Sequence, residues 1–346
     1  MVETKKVFLL GAGFSAPAGL PLNLKLLDQL ISKCAERAKK YGYGDIDNLN
    51  GLEDVLKSKN SCHLLSPWLL RCVRSKYPDL SSFERFMEIA ELFACGLVRL
   101  RDTSVEEDIL WDVARKEPHF LCPSDLTNCV HAAVHDVFED TPIGDTKYID
   151  ALVRYAHQTG SPIYTTNFDT LIEKSCLNCG LWPVVPGTHS EMQAGHIAAG
   201  FKLFKMHGSL DWDPCPGTNQ GMDGGYVVTY RRGINSLGYQ NIGLDVRDKL
   251  GRLALMLPHI DSFTKDWVQG VELVVIGNDL NDNHLAAAVI GRLHVSGFKV
   301  TVINNRPELP DRLRFSFDQI QRATSGASTV EHSDLSSDAY CLCLKA

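Results

Sequence analysis

The chain has 346 residues, 44% of them hydrophobic, and a net charge of −7 with a pI near 5.9. That length and apolar share allow one large or two moderate domains around a sizeable core. The acidic balance argues against a nucleic-acid binder that works by neutralising phosphates.

The first element is the apolar run Val7-Phe8-Leu9-Leu10, which reads as a short strand covered on both faces. Gly11-Ala12-Gly13-Phe14-Ser15 follows, a tight glycine turn opening a helix. Glycines let such a backbone turn sharply and approach a ligand, and the helix start favours phosphate. A nucleotide diphosphate at the head of a doubly wound sheet is the first expectation. The acidic residue that usually follows roughly 20 residues on, after a second strand, is missing. Either the turn is structural or the nucleotide lies in another orientation. Leu20, Leu24, Leu27, Leu30 and Ile31 instead continue at helical spacing, giving one amphipathic helix over 20–40.

From 41 to 145 strand-like alternation is rare. Phe83, Phe86, Met87, Ala90, Leu92 and Phe93 have helical spacing, as do Val130, Ala133, Val134 and Val137. This span reads as a helical insertion. His131 and His135 stand at i, i+4, a spacing that can hold a metal; with no third ligand the plainer reading is a wet helix face.

The sheet resumes with Pro162–Thr166, and Asn167-Phe168-Asp169 forms its carboxyl-end turn before a helix from Thr170. Further strands are read at Phe201–Met206, ending on His207-Gly208-Ser209, at Val271–Ile276, ending on Gly277-Asn278, and at Lys299–Ile303, ending on Asn304-Asn305-Arg306. A helix runs from the Gly277-Asn278 turn to Leu293. Five strand ends thus carry small or polar residues, where doubly wound folds place ligands. Between them lies a Gly- and Pro-rich flap at about 211–240, with a strand at Tyr226–Tyr230, then a helix over Leu244–Leu257. The tail, 311–346, has one element near Arg314–Ile320 and is Ser/Asp-rich over Ser325–Asp338, where flexibility is expected.

Eleven cysteines, an odd number, are scattered from Cys34 to Cys343 without evenly spaced pairs and read as reduced thiols. With no signal peptide ahead of the first strand and no apolar run of bilayer length, a cytoplasmic protein without membrane contact is expected.

Together these motifs resemble those of the sirtuins. Gly11-Ala12-Gly13-Phe14-Ser15 with Gly19-Leu20-Pro21 resembles their first NAD motif, Thr166-Asn167-Phe168-Asp169 their Gln-Asn-Ile-Asp motif, and His207-Gly208-Ser209 their histidine motif. Gly277-Asn278 and Asn304 match, in order, a later glycine turn and a ribose-binding asparagine. The resemblance implies a sirtuin-like, Rossmann-type parallel α/β sheet over 1–40 and 146–310. It also implies NAD contacts from Gly11, Ala12, Gly13, Ser15, Thr166, Asn167, Asp169, His207, Gly277, Asn278 and Asn304, with Asn167 and His207 catalytic. Gly277 has a plain alternative as a helix-packing turn, Asn167 as a turn asparagine and His207 as a packed core histidine.

Two departures select a branch. Deacetylases follow this first motif with Asp-Phe-Arg, where Pro21 here precedes Leu22-Asn23-Leu24-Lys25. They also carry two Cys-x-x-Cys pairs after the histidine, whereas only Cys215 follows His207 before the next helix. Cys176-Leu177-Asn178-Cys179 lies ahead of the histidine, so no structural metal is expected. The pattern is similar to SIR2-like domains of bacterial antiphage defence, which consume NAD without an acyl-lysine. That branch implies NAD glycohydrolysis and control by self-assembly or by a partner such as a HerA-type ATPase or an Argonaute-type protein. An NAD or ADP-ribose sensor and a zinc-free deacylase remain the alternatives.

Overall fold

The computed structural model describes residues 5–40, 61–78, 80, 83–102, 104–116, 123–184, 200–210, 212–214, 226–228, 241–242, 253–278, 280, 283–295, 297–303, 328–333 and 335–344. These form two compact units. One holds the described residues of Met1–Leu20, Ile143–Ile242 and Gly251–Ala346, the other those of Pro21–Pro142.

The first unit is built on a seven-stranded sheet whose ladders are all parallel. Its strands are β1 (Lys6–Leu10), β2 (Ile163–Thr165), β3 (Trp182–Val184), β4 (Gly200–Lys205), β9 (Glu272–Ile276), β10 (Lys299–Ile303) and β11 (Thr329–Ser333). Four further short strands form two-stranded pieces: β5 (Gly208–Ser209) with β8 (Asn241–Ile242), and β6 (Trp212–Pro214) with β7 (Tyr226–Val228). The sheet order is β11-β10-β9-β1-β2-β4-β3. After β1 the chain builds outward on one side through β2, then crosses to β9 on the other. The switch point therefore lies between β1 and β9, the place where open α/β sheets bind ligands beyond the carboxyl ends of their strands. The strands that carry the five ends singled out in the sequence are consecutive in the sheet, and the four ends that are described, after β1, β2, β4 and β9, lie along one edge.

Apolar runs explain the central strands. Every residue of β9 is buried, as are the last four of β1 and of β10, which a strand covered on both faces requires. Alternation divides the side chains between the faces. Val7, Leu9, Tyr164, Phe204, Leu273, Val275, Val300 and Val302 share one cluster with Phe263 of helix α9 (Leu253–Asp266), Trp267 just after it, and Leu285, Val289 and Leu293 of helix α10 (Asn283–Leu293). On the other face Phe8 meets Tyr155 of helix α7 (Lys147–Thr159) edge-on at 6.0 Å. Helix α8 (Leu171–Asn178) and helix α11 (Ser337–Cys343) pack against α7.

The helix read over 20–40 is present from Asn23, but it does not continue from the glycine turn. The glycine turn opens one helical turn, α1 (Ala12–Ser15), then a 3₁₀ turn at Ala16–Ala18 capped by Gly19 with φ of 97°. The long helix, α2 (Asn23–Lys40), starts afresh and lies in the second unit. The tail is not loose throughout. Thr329–Ser333 pairs residue for residue with Lys299–Ile303, and Ser336 caps α11 by accepting from the Ala339 N–H.

The described elements of the second unit are all helices: α2, α3 (Ser61–Lys76), α4 (Phe83–Ala94), α5 (Val105–Lys116) and α6 (Pro123–Asp140). Leu27, Leu30 and Cys34 of α2, Phe86, Met87 and Phe93 of α4, and Val130, Val134 and Val137 of α6 are buried at the spacing read from the sequence. His131 is buried, not on a wet face. His135 stands 3.4 Å from Glu139. With Asp136 these two place ligand atoms within 4.8 Å of one another, but Asp136 is paired with Arg37 at 2.6 Å. Among the described residues no helix is long and apolar enough to cross a membrane.

Candidate functional site

The site begins where β1 and β9 end. The Gly11 N–H donates to the Ile276 carbonyl at 3.0 Å, and the Gly13 N–H to the Gly277 carbonyl at 2.8 Å. The two turns are so close that a Cβ on Gly277 would lie 2.1 Å from the Phe14 nitrogen, and one on Gly11 2.6 Å from the Asn278 Cα. Gly277 also holds φ of +61°, which side chains disfavour. Gly277 is thus required by backbone contact at the switch point, not by helix packing.

The loop after β2 closes onto this turn. Asn167 donates both amide protons, to the Gly11 carbonyl and to Ser15 Oγ, each at 2.9 Å. Because the Gly11 carbonyl can only accept, the amide orientation is fixed. Asn167 Oδ1 carries no hydrogen bond among the described residues. Ser15 Oγ passes its own proton to Asp169 Oδ2 at 2.8 Å, and Asp169 Oδ1 accepts from the Leu171 N–H at 3.1 Å, starting α8. On the other side Asn278 donates to Thr166 Oγ1 at 3.1 Å and accepts from the Leu280 N–H at 2.8 Å. Leu280 holds a left-handed φ of 52° to do so.

His207 follows the end of β4, next to β2 in the sheet, and is 8% exposed. Its ring faces that of Phe168 at 6.5 Å. The Leu210 N–H donates to the Phe168 carbonyl at 3.0 Å, tying the histidine turn to the Asn167–Asp169 loop.

The structure therefore gathers Gly11, Ala12, Gly13, Ser15, Thr166, Asn167, Asp169, His207, Gly277 and Asn278 at one edge of one sheet. Asn304, Arg306, the element read near Arg314–Ile320 and most of the flap lie outside the described residues. The geometry also revises what the glycine turn can offer. The Gly13 N–H is taken by Gly277, the Phe14 N–H by Gly11, and the Ser15 hydroxyl by Asp169. With α1 a single turn, little dipole is available for a phosphate. The turn sets the close approach of the β1 and β9 ends, and Ala12 is its exposed residue.

Three residues not singled out in the sequence support the loop. Tyr148 of α7 donates to the Phe14 carbonyl at 2.7 Å. Burial first, and then the Asp169 carboxylate, hold its phenol well above the usual range, so it stays a neutral donor. Lys205, the last residue of β4, is fully buried and pairs with Glu173 of α8 at 3.0 Å. β4 also carries the exposed Lys202, so the sequence alone does not mark Lys205 as the buried lysine; lysines are almost never buried unpaired.

All-parallel strands with a switch point between β1 and β9 define a Rossmann-like α/β protein, with polar strand ends converging at the sheet's carboxyl edge. No known family model and no curated protein matches the chain.

Proposed function

We propose that the protein is an NAD glycohydrolase, releasing nicotinamide and ADP-ribose from NAD. The observation that carries this reading is the convergence of Asn167 and His207 on adjacent strand ends beside a glycine-lined crevice. Nicotinamide is a good neutral leaving group, and its departure leaves an oxocarbenium-like ribose. Such a reaction needs orientation, charge stabilisation and a placed water more than covalent chemistry. Asn167, with both amide protons engaged, presents Oδ1 as an acceptor of fixed direction for that water or for a ribose hydroxyl. His207 takes a proton near neutral pH, from the attacking water or a ribose hydroxyl. Asp169 acts through Ser15, fixing the loop that carries Asn167. Gly277 and Asn278 form the opposite wall, and Asn304 is assigned to the adenosine ribose by resemblance alone.

The sirtuin-like reading extends this proposal to a setting. An enzyme that drains NAD harms its own cell, so it must be held off until triggered. Antiphage defence fits that constraint, in the cytoplasm, with control by homo-oligomerisation or by a HerA-type ATPase or Argonaute-type partner. No metal is assigned a role. The deciding assay is nicotinamide release from NAD by the purified chain with no acyl-lysine peptide present. Release only with such a peptide would replace this reading with a deacylase, and binding without turnover would replace it with a sensor.

A further inference from the structure

We propose that the buried pair Lys205–Glu173 is a positioning element of this site and not merely part of the core. Both side chains are inaccessible, at 0% and 1% exposure. Lys205 Nζ makes two contacts: Glu173 Oε1 at 3.0 Å and the Asp169 carbonyl at 2.5 Å. The second joins the pair to the site. Asp169 is held by its carbonyl from Lys205 and by its carboxylate from Ser15 and the Leu171 N–H. Ser15 in turn receives an Asn167 proton, whose partner proton goes to Gly11. A continuous run of hydrogen bonds thus leads from the ion pair to the glycine turn.

Buried ion pairs contribute little net stability, because desolvation of both ions offsets their attraction, and apolar residues of similar volume usually serve packing as well. The pair bridges elements that must keep their register at the site: the end of β4, which leads into His207, and the first turn of α8, which follows Asp169. Finally, the Asp169 carbonyl lies in the loop between β2 and α8, and Lys205 brings a charged donor to it from a neighbouring strand. Lys205 on β4 faces the same side of the sheet as Thr165, its register partner, and its length carries the ammonium to that carbonyl.

This role rests on the proposed NAD reading for its functional consequence but can be read without it. The test compares wild-type protein with Lys205→Met/Glu173→Leu by circular dichroism, amide hydrogen exchange and calorimetric titration with NAD. The double variant is expected to keep its secondary structure and its exchange protection in β1, β9 and β10. Amides of 166–171 should exchange about tenfold faster, and NAD should bind about tenfold more weakly, the effect of losing one buried hydrogen bond to a charged donor. Unchanged loop exchange overturns the proposal, as does faster exchange with NAD affinity intact. If the wild-type protein binds no NAD, the functional reading falls, while the exchange result still decides whether the pair holds the loop. Should the double variant fail to fold, Lys205→Gln/Glu173→Gln replaces it, preserving shape and polarity but not the reach to the Asp169 carbonyl, with the same outcomes.

Discussion

Ser15 Oγ donates to Asp169 Oδ2 at 2.8 Å across 154 residues of sequence. The same hydroxyl accepts from Asn167 Nδ2 at 2.9 Å, so one small side chain satisfies a carboxylate and an amide at once. Ser15→Ala removes both bonds and leaves a buried carboxylate oxygen and a buried N–H unpartnered. A loss of about 2 kcal/mol is expected, read as a lower urea midpoint, together with weaker NAD binding. Ser15→Ala with unchanged stability and binding would show that the contact is incidental.

Gly277 and Gly160 give a matched comparison, since both hold positive φ, at 61° and 65°. A Cβ at Gly160 meets nothing within 4 Å, whereas one at Gly277 lies 2.1 Å from the Phe14 nitrogen. Gly160→Ala should cost only the left-handed strain, about 1 kcal/mol. Gly277→Ala should cost that and force the β1 and β9 turns apart, abolishing NAD binding even where the chain folds. Thermal midpoints of the two variants, measured side by side, separate strain from collision.

The last described strand and helix are predicted to be essential to the sheet. β11 covers the edge of β10, Ser328 Oγ donates to the Val295 carbonyl at 2.7 Å, and α11 packs on α7. A chain ending at residue 327 would leave Val300 and Val302 on an uncovered edge strand, which invites aggregation. Such a truncation should be insoluble or should associate on size exclusion; a stable, well-behaved truncation would contradict this.

Asp338 carries a pH-dependent part of the same helix. The Ser336 side chain, then its own and the Ala339 backbone N–H groups, hold its carboxyl below the usual 3.8. A depressed folded value means that its contribution is present above about pH 3.8 and is lost as pH falls through the folded value. Asp338→Asn should therefore lower stability at neutral pH by about 0.5 kcal/mol. The gap to wild type should close as urea titrations are repeated toward pH 3.

How much of this was legible in the sequence follows from where burial leaves a pattern. β9, β10 and the end of α10 at Leu293 were readable because each apolar run stops at glycine or polar residues. β11 was not, because Thr-Val-Glu-His-Ser sits at a sheet edge and carries a single apolar residue; its pairing is set by the neighbouring strand, not by its own hydrophobicity. β3, three residues including Pro183, is an edge strand of the same kind. The break before α2 was hidden because Leu20 continues the leucine spacing, while Gly19 and Pro21 interrupt the backbone. α7 has clear periodicity through Tyr148, Ile149, Leu152, Val153 and Ala156 but fell between the insertion and the resumed sheet. Among site residues, the strand-end positions were legible from turn chemistry, whereas the burial of Lys205 depends on Glu173 and emerges only from the fold.

The most direct test is nicotinamide release from NAD by the purified protein without peptide, measured for wild type, His207→Ala and Asn167→Ala. The account predicts release by wild type and a loss of about 100-fold or more in each variant with unchanged circular dichroism. Release that requires an acetyl-lysine peptide, or that survives both substitutions, would contradict it.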